Sequence, residues 1–386
     1  MVPRMSAPQR LLHFLMTILG FVLLILLLLP LTGCDQANSA ANGPLIDRNE
    51  LPTDDEIREQ LDKALDLTFA RELDVDEQAA WQILHGALAF GRDFQVNYKG
   101  NRVSAVDHIL QGGPMQGWTV QQGFELSETE QSSTPDRRYG LRALLEEGSK
   151  AGQGHADQWF AVLAQCELPP TQAIEARNRT YLMEDYLRQI QLEVHRNELQ
   201  EYSWTLIGLT TYLDTDAEWH DIDGGHWSIE QLVEIEADHE IGDGACGGTH
   251  RLIGLSMALN QRLAQERKLS GPWLLADERV RAAIENARKF QNPDGSFSSH
   301  YVLRPGTSPD LAQNLGTTGH VLEFLAVSMT AEELQQLWVK RAVLNLCDLF
   351  QKTKAIPLEC GALYHAAHGL ALYRERVFGE REYAAQ

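Results

Sequence analysis

The chain has 386 residues, 44% of them hydrophobic and 23% charged, with a formal net charge of -21 and a pI near 5.0. That composition belongs to a globular protein, and the length suits one large domain or two ordinary ones. No cluster of Lys and Arg offers a face for phosphates, which excludes nucleic acid as a partner.

Residues 1–33 are set apart from the fold. Arg4 and Arg10 precede an apolar run from Leu11 to Leu31, and the run ends at Leu31-Thr32-Gly33-Cys34. This tetrapeptide resembles the lipobox of bacterial lipoproteins. The resemblance implies cleavage before Cys34, diacylglycerol on its thiol and acylation of the new amino group. Two or more acyl chains anchor a protein far more firmly than one. Asp35 resembles an inner-membrane retention signal of some such lipoproteins. A membrane-spanning helix is the alternative reading of the same run, which approaches the roughly 20 residues a bilayer requires. Pro30 and the tetrapeptide favour the signal. Residues 34–52, rich in Ala, Asn, Gly and Pro, read as a flexible tether.

From Thr53 to residue 386 helical patterning dominates. Thr53-Asp54-Asp55-Glu56 reads as a capping box. Six segments are rich in small residues and apolar around most of their circumference: 77–90, 155–165, 202–213, 249–259, 320–328 and 363–373. Each follows a more amphipathic segment: 54–72, 136–147, 171–198, 228–237, 277–291 and 331–352. A helix apolar all round must be buried, whereas one with a charged face sits outside. Six buried helices ringed by six outer ones make an all-α (α/α)6 toroid, a repeat array closed on itself. The stretch from Gly91 to Pro135 reads as a loop over the surface or across one mouth.

The same residues carry a family likeness. Phe290-Gln-Asn-Pro-Asp-Gly-Ser-Phe297 precedes a small-residue helix, and Ile241-Gly-Asp-Gly-Ala-Cys-Gly-Gly-Thr-His250 copies its turn. Both resemble the repeat of the terpenoid cyclase and protein prenyltransferase toroids, most clearly over residues 228–373. The chain lacks the Asp-x-Asp-Asp proton donor of squalene-hopene cyclases, since Asp214-Thr-Asp-Ala217 breaks that pattern. It also lacks the Cys-Gly-Glu-Gln thioester of the complement toroids. Ordinary triterpene cyclisation is therefore not expected.

In such a toroid the inner helices run parallel, and their N-termini meet at one rim. Register then brings His155, His250, His320 and His365 to that rim, with His85 and His368 one turn deeper. Convergent helix N-termini favour thiolate and neutral imidazole, the forms that a metal requires. Likeness to the prenyltransferases implies a zinc site with Asp243, Cys246 and His320 as ligands. His250 stands four residues after Cys246, where it can replace or complete the set. His250 or Glu359 is then the acid or base. Three ligands and an open position make a catalytic zinc site. Capping or core roles for single histidines are the competing reading, as are disulfides joining Cys347 or Cys246 to Cys360. Acidic residues between Asp214 and His226 read as a solvated loop in preference to a calcium site. Trp81, Trp159, Trp204 and Phe324 read as core before cavity floor.

Two functional classes follow. One is a lipid-anchored, zinc-dependent enzyme of the cell envelope acting on a lipid, glycan or peptide. The other is a non-catalytic envelope module that binds such a molecule, or a protein, in the same mouth.

Overall fold

In a computed structural model, which describes residues 52–126, 138–197 and 202–383, the first helix opens on Thr53. The Thr53 N–H donates to the Glu56 carboxylate at 2.8 Å while the Glu56 N–H donates to the Thr53 hydroxyl. This capping box starts α1 (Asp54–Phe69), which buries Ile57, Leu61, Leu65 and Phe69 along one stripe. The proposed signal, Cys34 and nearly all of the tether lie outside the described residues.

The chain is mostly helical, in the all-α class that the patterning predicts. The helices after α1 are α2 (Ala80–Phe90), α3 (Ala105–Leu110), α4 (Gln158–Gln165), α5 (Met183–Glu193), α6 (Ser203–Tyr212) and α7 (Ile229–Asp238). They continue as α8 (Thr249–Ala264), α9 (Pro272–Lys289), α10 (Leu311–Ser328), α11 (Ala331–Leu334), α12 (Leu337–Lys352) and α13 (Cys360–Phe378). Among the described residues four antiparallel strand pairs accompany them: β1 (Gln95–Tyr98) with β2 (Asn101–Ser104), β3 (Trp118–Glu125) with β4 (Tyr139–Leu145), β5 (Ala173–Ala176) with β6 (Arg179–Leu182), and β7 (Glu218–His220) with β8 (His226–Ser228). No helix among the described residues is long and apolar enough to cross a membrane.

Six helices contact one another in circular order. Helix α2 packs on α4, α4 on α6, α6 on α8, α8 on α10, α10 on α13, and α13 returns to α2. These are the six segments read as buried, and their side chains form the core, with Phe160, Leu206, Leu255, Phe324 and Leu370 fully enclosed. Each such side chain stabilises the fold by roughly 1.5–3 kcal/mol relative to exposure. The closest pair is α10 with α13. At Gly319 an added Cβ would lie 2.4 Å from the Ala366 Cβ, so only glycine permits that approach.

Several expected boundaries are corrected. Where an outer helix is expected over 136–147, residues 139–145 are instead β4, paired with β3 from Trp118↔Leu145 onward. Leu and Ala in that stretch favour a helix, but pairing across the hairpin overrides local preference. Residues 173–182 form a hairpin before α5, turning on Arg177 and Asn178 at φ 52° and 61°. The expected surface loop at 91–135 contains β1, β2, α3 and β3. Most consequential, the fifth inner helix begins at Leu311 and not near Gly319, because the Asp310 carboxylate caps it by accepting from the Ala312 N–H.

The Gln-Asn-Pro-Asp-Gly turn is a structural tie. Gln291 Nε2 donates to the carbonyls of Gly295 and Trp338, at 2.9 and 2.8 Å. Asn292 Nδ2 reaches the Phe297 and Gly306 carbonyls, and the Phe297 N–H donates to Thr318 Oγ1 at 3.1 Å. Together these bonds fasten α9, α12 and the loop that leads into α10.

Candidate metal centre and the histidine cavity

A cavity of about 440 Å³ opens among the N-terminal portions of α2, α8, α10 and α13 and the loop before α4. Its wall includes His85, His155, His250, His320 and His365, together with Cys246. The imidazoles converge. Ring centroids are 4.1 Å apart for His320 and His365, 5.2 Å for His250 and His365, and 5.7 Å for His250 and His320. His85 adjoins His365 and His155 adjoins His250, each at 4.9 Å.

Within this ring Cys246, His250 and His320 offer one ligand atom each, all lying within 4.8 Å of one another. Such a group can hold a metal ion. The loop that presents Cys246 is tightly determined. Cys246, Gly247 and Gly248 have φ of 50°, 65° and 82°, a left-handed run leading straight into α8. A Cβ at Gly248 would lie 1.9 Å from the Ile241 carbonyl oxygen, and one at Gly247 would strike the Tyr301 ring at 2.2 Å. Cys246 itself is a non-glycine residue in a conformation that L side chains rarely adopt, a form of strain common at functional sites.

Hydrogen bonding fixes His320. Its Nδ1 lies 2.7 Å from the Gly316 carbonyl oxygen and must donate there. In the neutral imidazole, the form that binds a metal, Nε2 then carries the lone pair, whereas in the metal-free chain a protonated Nε2 faces the Cys246 thiolate. Burial pushes the Cys246 thiol up, but the charge on His320 and contacts with His250 and His320 prevail, bringing it down to about 5. Burial pushes His320 down, and the charge and contact of Cys246 reverse the direction, raising it.

The sequence-predicted residues fall into different places. Cys246 and His320 come together as expected. His250 joins them as a third donor, the ligand alternative to its reading as an acid or base. Asp243 is exposed and outside the group, on a 3-10 turn over Ile241–Asp243. Glu359 is an exposed N-cap of α13, its two oxygens accepting from the Gly361 and Ala362 N–H groups at 2.7 and 2.8 Å. The same residue lines the wall of the histidine cavity. Cys166, Cys246, Cys347 and Cys360 are all free thiols, so neither disulfide alternative is present.

In the acidic loop Asp214, Asp216 and Asp223 are exposed, as a solvated loop requires, and Asp221 alone of the aspartates is buried. Asp214 and Asp216 pair with Arg267 and Arg262, while Asp221 and Asp223 flank His195 at 3.2 and 3.1 Å. Trp81 lines the histidine cavity. Trp159 borders a separate cavity of about 280 Å³ beside Trp118, and Phe324 is core.

No protein family, curated protein or solved structure matches this chain. The likeness to the terpenoid cyclase and prenyltransferase repeats thus rests on the residues quoted for it.

Two residues escape the sequence reading, Tyr301 on the cavity wall and Glu323 buried behind His365. Tyr301, at φ 56°, packs its ring 6.1 Å from that of His320. Burial, with the charge of Cys246, raises its phenol to about 12, so it is a hydrogen-bond donor throughout the physiological range. Glu323 is a buried carboxylate on α10. His365 Nδ1 and His368 Nδ1 approach its two oxygens at 2.7 and 2.6 Å. Burial would raise Glu323, but His365 and His368 outweigh it and hold it well below the usual carboxylate range. Its signal in the sequence is a lone acid within the otherwise apolar run Gly319–Val327.

Proposed function

We propose that the chain is a lipid-anchored protein of the cell envelope whose domain, an (α/α)6 toroid, is a zinc-dependent enzyme. Cys246, His250 and His320 hold the metal. The observation that carries this reading is their convergence within 4.8 Å at the wall of the cavity. The circular order of inner-helix contacts supports the toroid. One thiolate and two imidazoles form a borderline-soft donor set that suits zinc and not magnesium or calcium. A zinc ion with an open fourth position supplies Lewis-acid activation of a carbonyl or of water.

This chain's residues shape what enters. No Lys or Arg is among the described residues lining the cavity, so a diphosphate finds no counter-ion. Trp81 and Tyr301 give apolar surface, while Gln153, Gln158 and Gln313 offer neutral polar groups. These features favour an uncharged part of an envelope lipid, glycan or peptide. Anchoring through Cys34 keeps the cavity close to such substrates.

The test is metal content of the full chain purified from membranes in detergent. Wild type and Asp243→Asn should each carry about one zinc per chain, and Cys246→Ala should carry none. A stable, metal-free wild type would refute the zinc reading and favour the binding module. Mass spectrometry of the mature N-terminus tests the anchor: an intact Met1 start would refute it.

A further inference from the structure

Beneath the proposed metal ligands lies a second layer whose geometry assigns a role to a different histidine. His365 is 2% exposed and lines the cavity, with its ring centroid 4.1 Å from that of His320. Its Nδ1 lies 2.7 Å from Glu323 Oε2, and a carboxylate receiving two such approaches accepts from both. His365 and His368 are therefore both Nδ1–H tautomers, and the lone pair of His365 sits on Nε2. His365 is absent from the group whose donor atoms lie within 4.8 Å of one another, so it stands beside the metal ligands and not among them.

We propose that His365 Nε2 is the hydrogen-bond acceptor for an O–H or N–H group of the molecule bound beside Cys246, His250 and His320. Glu323, steadied by His368, is the positioning residue that holds His365 in that tautomer. Glu359 already caps α13 and His250 belongs to the ligand group, which leaves His365 as the cavity imidazole whose tautomer a carboxylate fixes. The ligand class follows: a molecule bearing a hydrogen-bond donor next to its metal-binding atom. A buried acceptor left unmade costs enough for discrimination of about tenfold or more. This inference rests on the zinc reading, and its test separates the two.

The full chain is loaded with cobalt in place of zinc, and its visible spectrum reports binding of two probes. Acetohydroxamate carries a donor beside its metal-binding oxygen; azide carries none. His365→Asn and Glu323→Gln should each retain one cobalt and bind azide within about twofold of wild type. Both should lose about tenfold or more in acetohydroxamate affinity. Cobalt uptake with no selective loss of acetohydroxamate overturns this inference alone. Loss of cobalt itself in His365→Asn also overturns it, by making His365 a ligand. A wild type that takes up no cobalt sinks the metal reading and this inference with it. Should either variant fail to fold, as judged by its thermal melt, nitrogen-15 spectra of wild-type imidazoles decide. An Nδ1–H tautomer at His365 upholds the assignment, and an Nε2–H tautomer overturns it.

Discussion

The ionisation of Cys246 can be measured without knowing any substrate. In metal-free protein the charge of His320 and the contacts with His250 and His320 overcome burial and bring the thiol to about 5. At pH 7 such a group is about 99% thiolate, against about 3% for an ordinary cysteine of pKa about 8.5. That is a gain of about thirtyfold in reactive form. Nucleophilicity falls in step with basicity, however, with a Brønsted slope of about 0.4–0.5, which removes roughly 25- to 55-fold. The two effects nearly cancel. Alkylation by iodoacetamide at neutral pH should therefore run at about the ordinary rate, and speed alone is not diagnostic. The shape of the pH profile is. After dialysis against a chelator, alkylation of Cys246 followed by peptide mass spectrometry should rise to a midpoint near 5 and stay flat above about pH 6. An ordinary thiol climbs about tenfold per pH unit up to about 8.5. Cys166 and Cys347, both pushed to about 12 by burial, serve as internal controls that stay slow. His320→Ala should move the Cys246 midpoint upward by removing the largest lowering influence. A wild-type profile still rising through pH 8, or an unchanged midpoint in His320→Ala, would refute the reasoning.

Three further outcomes are expected. Gly319→Ala places a Cβ 2.4 Å from that of Ala366, so α10 and α13 must separate. Overpacking of this kind costs about 1–3 kcal/mol, read by denaturant unfolding. Gly248→Ala, at φ 82° and 1.9 Å from a backbone oxygen, should dislodge Cys246. Chelator competition should show zinc bound at least about tenfold more weakly. Asp157, raised to about 6 chiefly by burial, binds its proton more tightly folded than unfolded. Its contribution favours the folded state below about pH 4 and is lost as pH rises through about 6. Asp157→Asn keeps an oxygen for the Thr205 and Asn197 donors, which lie at 2.6 and 2.9 Å. It should therefore stabilise the metal-free chain by roughly 1–3 kcal/mol at pH 7.5 and hardly at all at pH 4, as read by thermal melts.

The buried helices were legible because their signal is composition around a full circumference, and neighbouring helices do not alter it. Helix α6, whose segment Ser203-Trp-Thr-Leu-Ile-Gly-Leu-Thr-Thr-Tyr212 has no charged residue, is the clearest case. The hairpins were not legible by the same means. Their strands are three to eight residues long, and five of the seven residues of β4, Leu141 to Leu145, are Leu, Ala and Arg that serve a helix equally well. A turn signal was available at Lys99-Gly100 and Arg177-Asn178, pairs with positive φ that favour a two-residue hairpin loop. At the site, the four-residue spacing from Cys246 to His250 already brings both to the start of one helix. Asp243 rests on the likeness to the prenyltransferases alone, and the 3-10 turn over Ile241–Asp243 leaves it exposed. Glu323 was hidden for another reason: its partners lie 42 and 45 residues away on α13, and only packing brings them together.

The depth of the cavity comes from a departure from the regular repeat. His250 is the second residue of α8, His365 the sixth of α13 and His320 the tenth of α10, yet their rings adjoin. Register alone, with every inner helix starting at its histidine, would leave the three imidazoles on a shallow rim open to water. Helix α10 instead begins nine residues before His320, and at 1.5 Å per residue it rises about 13 Å above that ring. Ala312, Gln313, Gly316 and Thr317 on this extension face the cavity and wall it. The Gly316 carbonyl on the same extension receives the His320 proton and so turns Nε2 toward ligand chemistry. One lengthened helix thus encloses the space and sets the tautomer of a donor within it. The early start of α10 and the convergence of the histidines are for that reason parts of a single arrangement: a helix beginning at His320 would open the cavity and release His320 together.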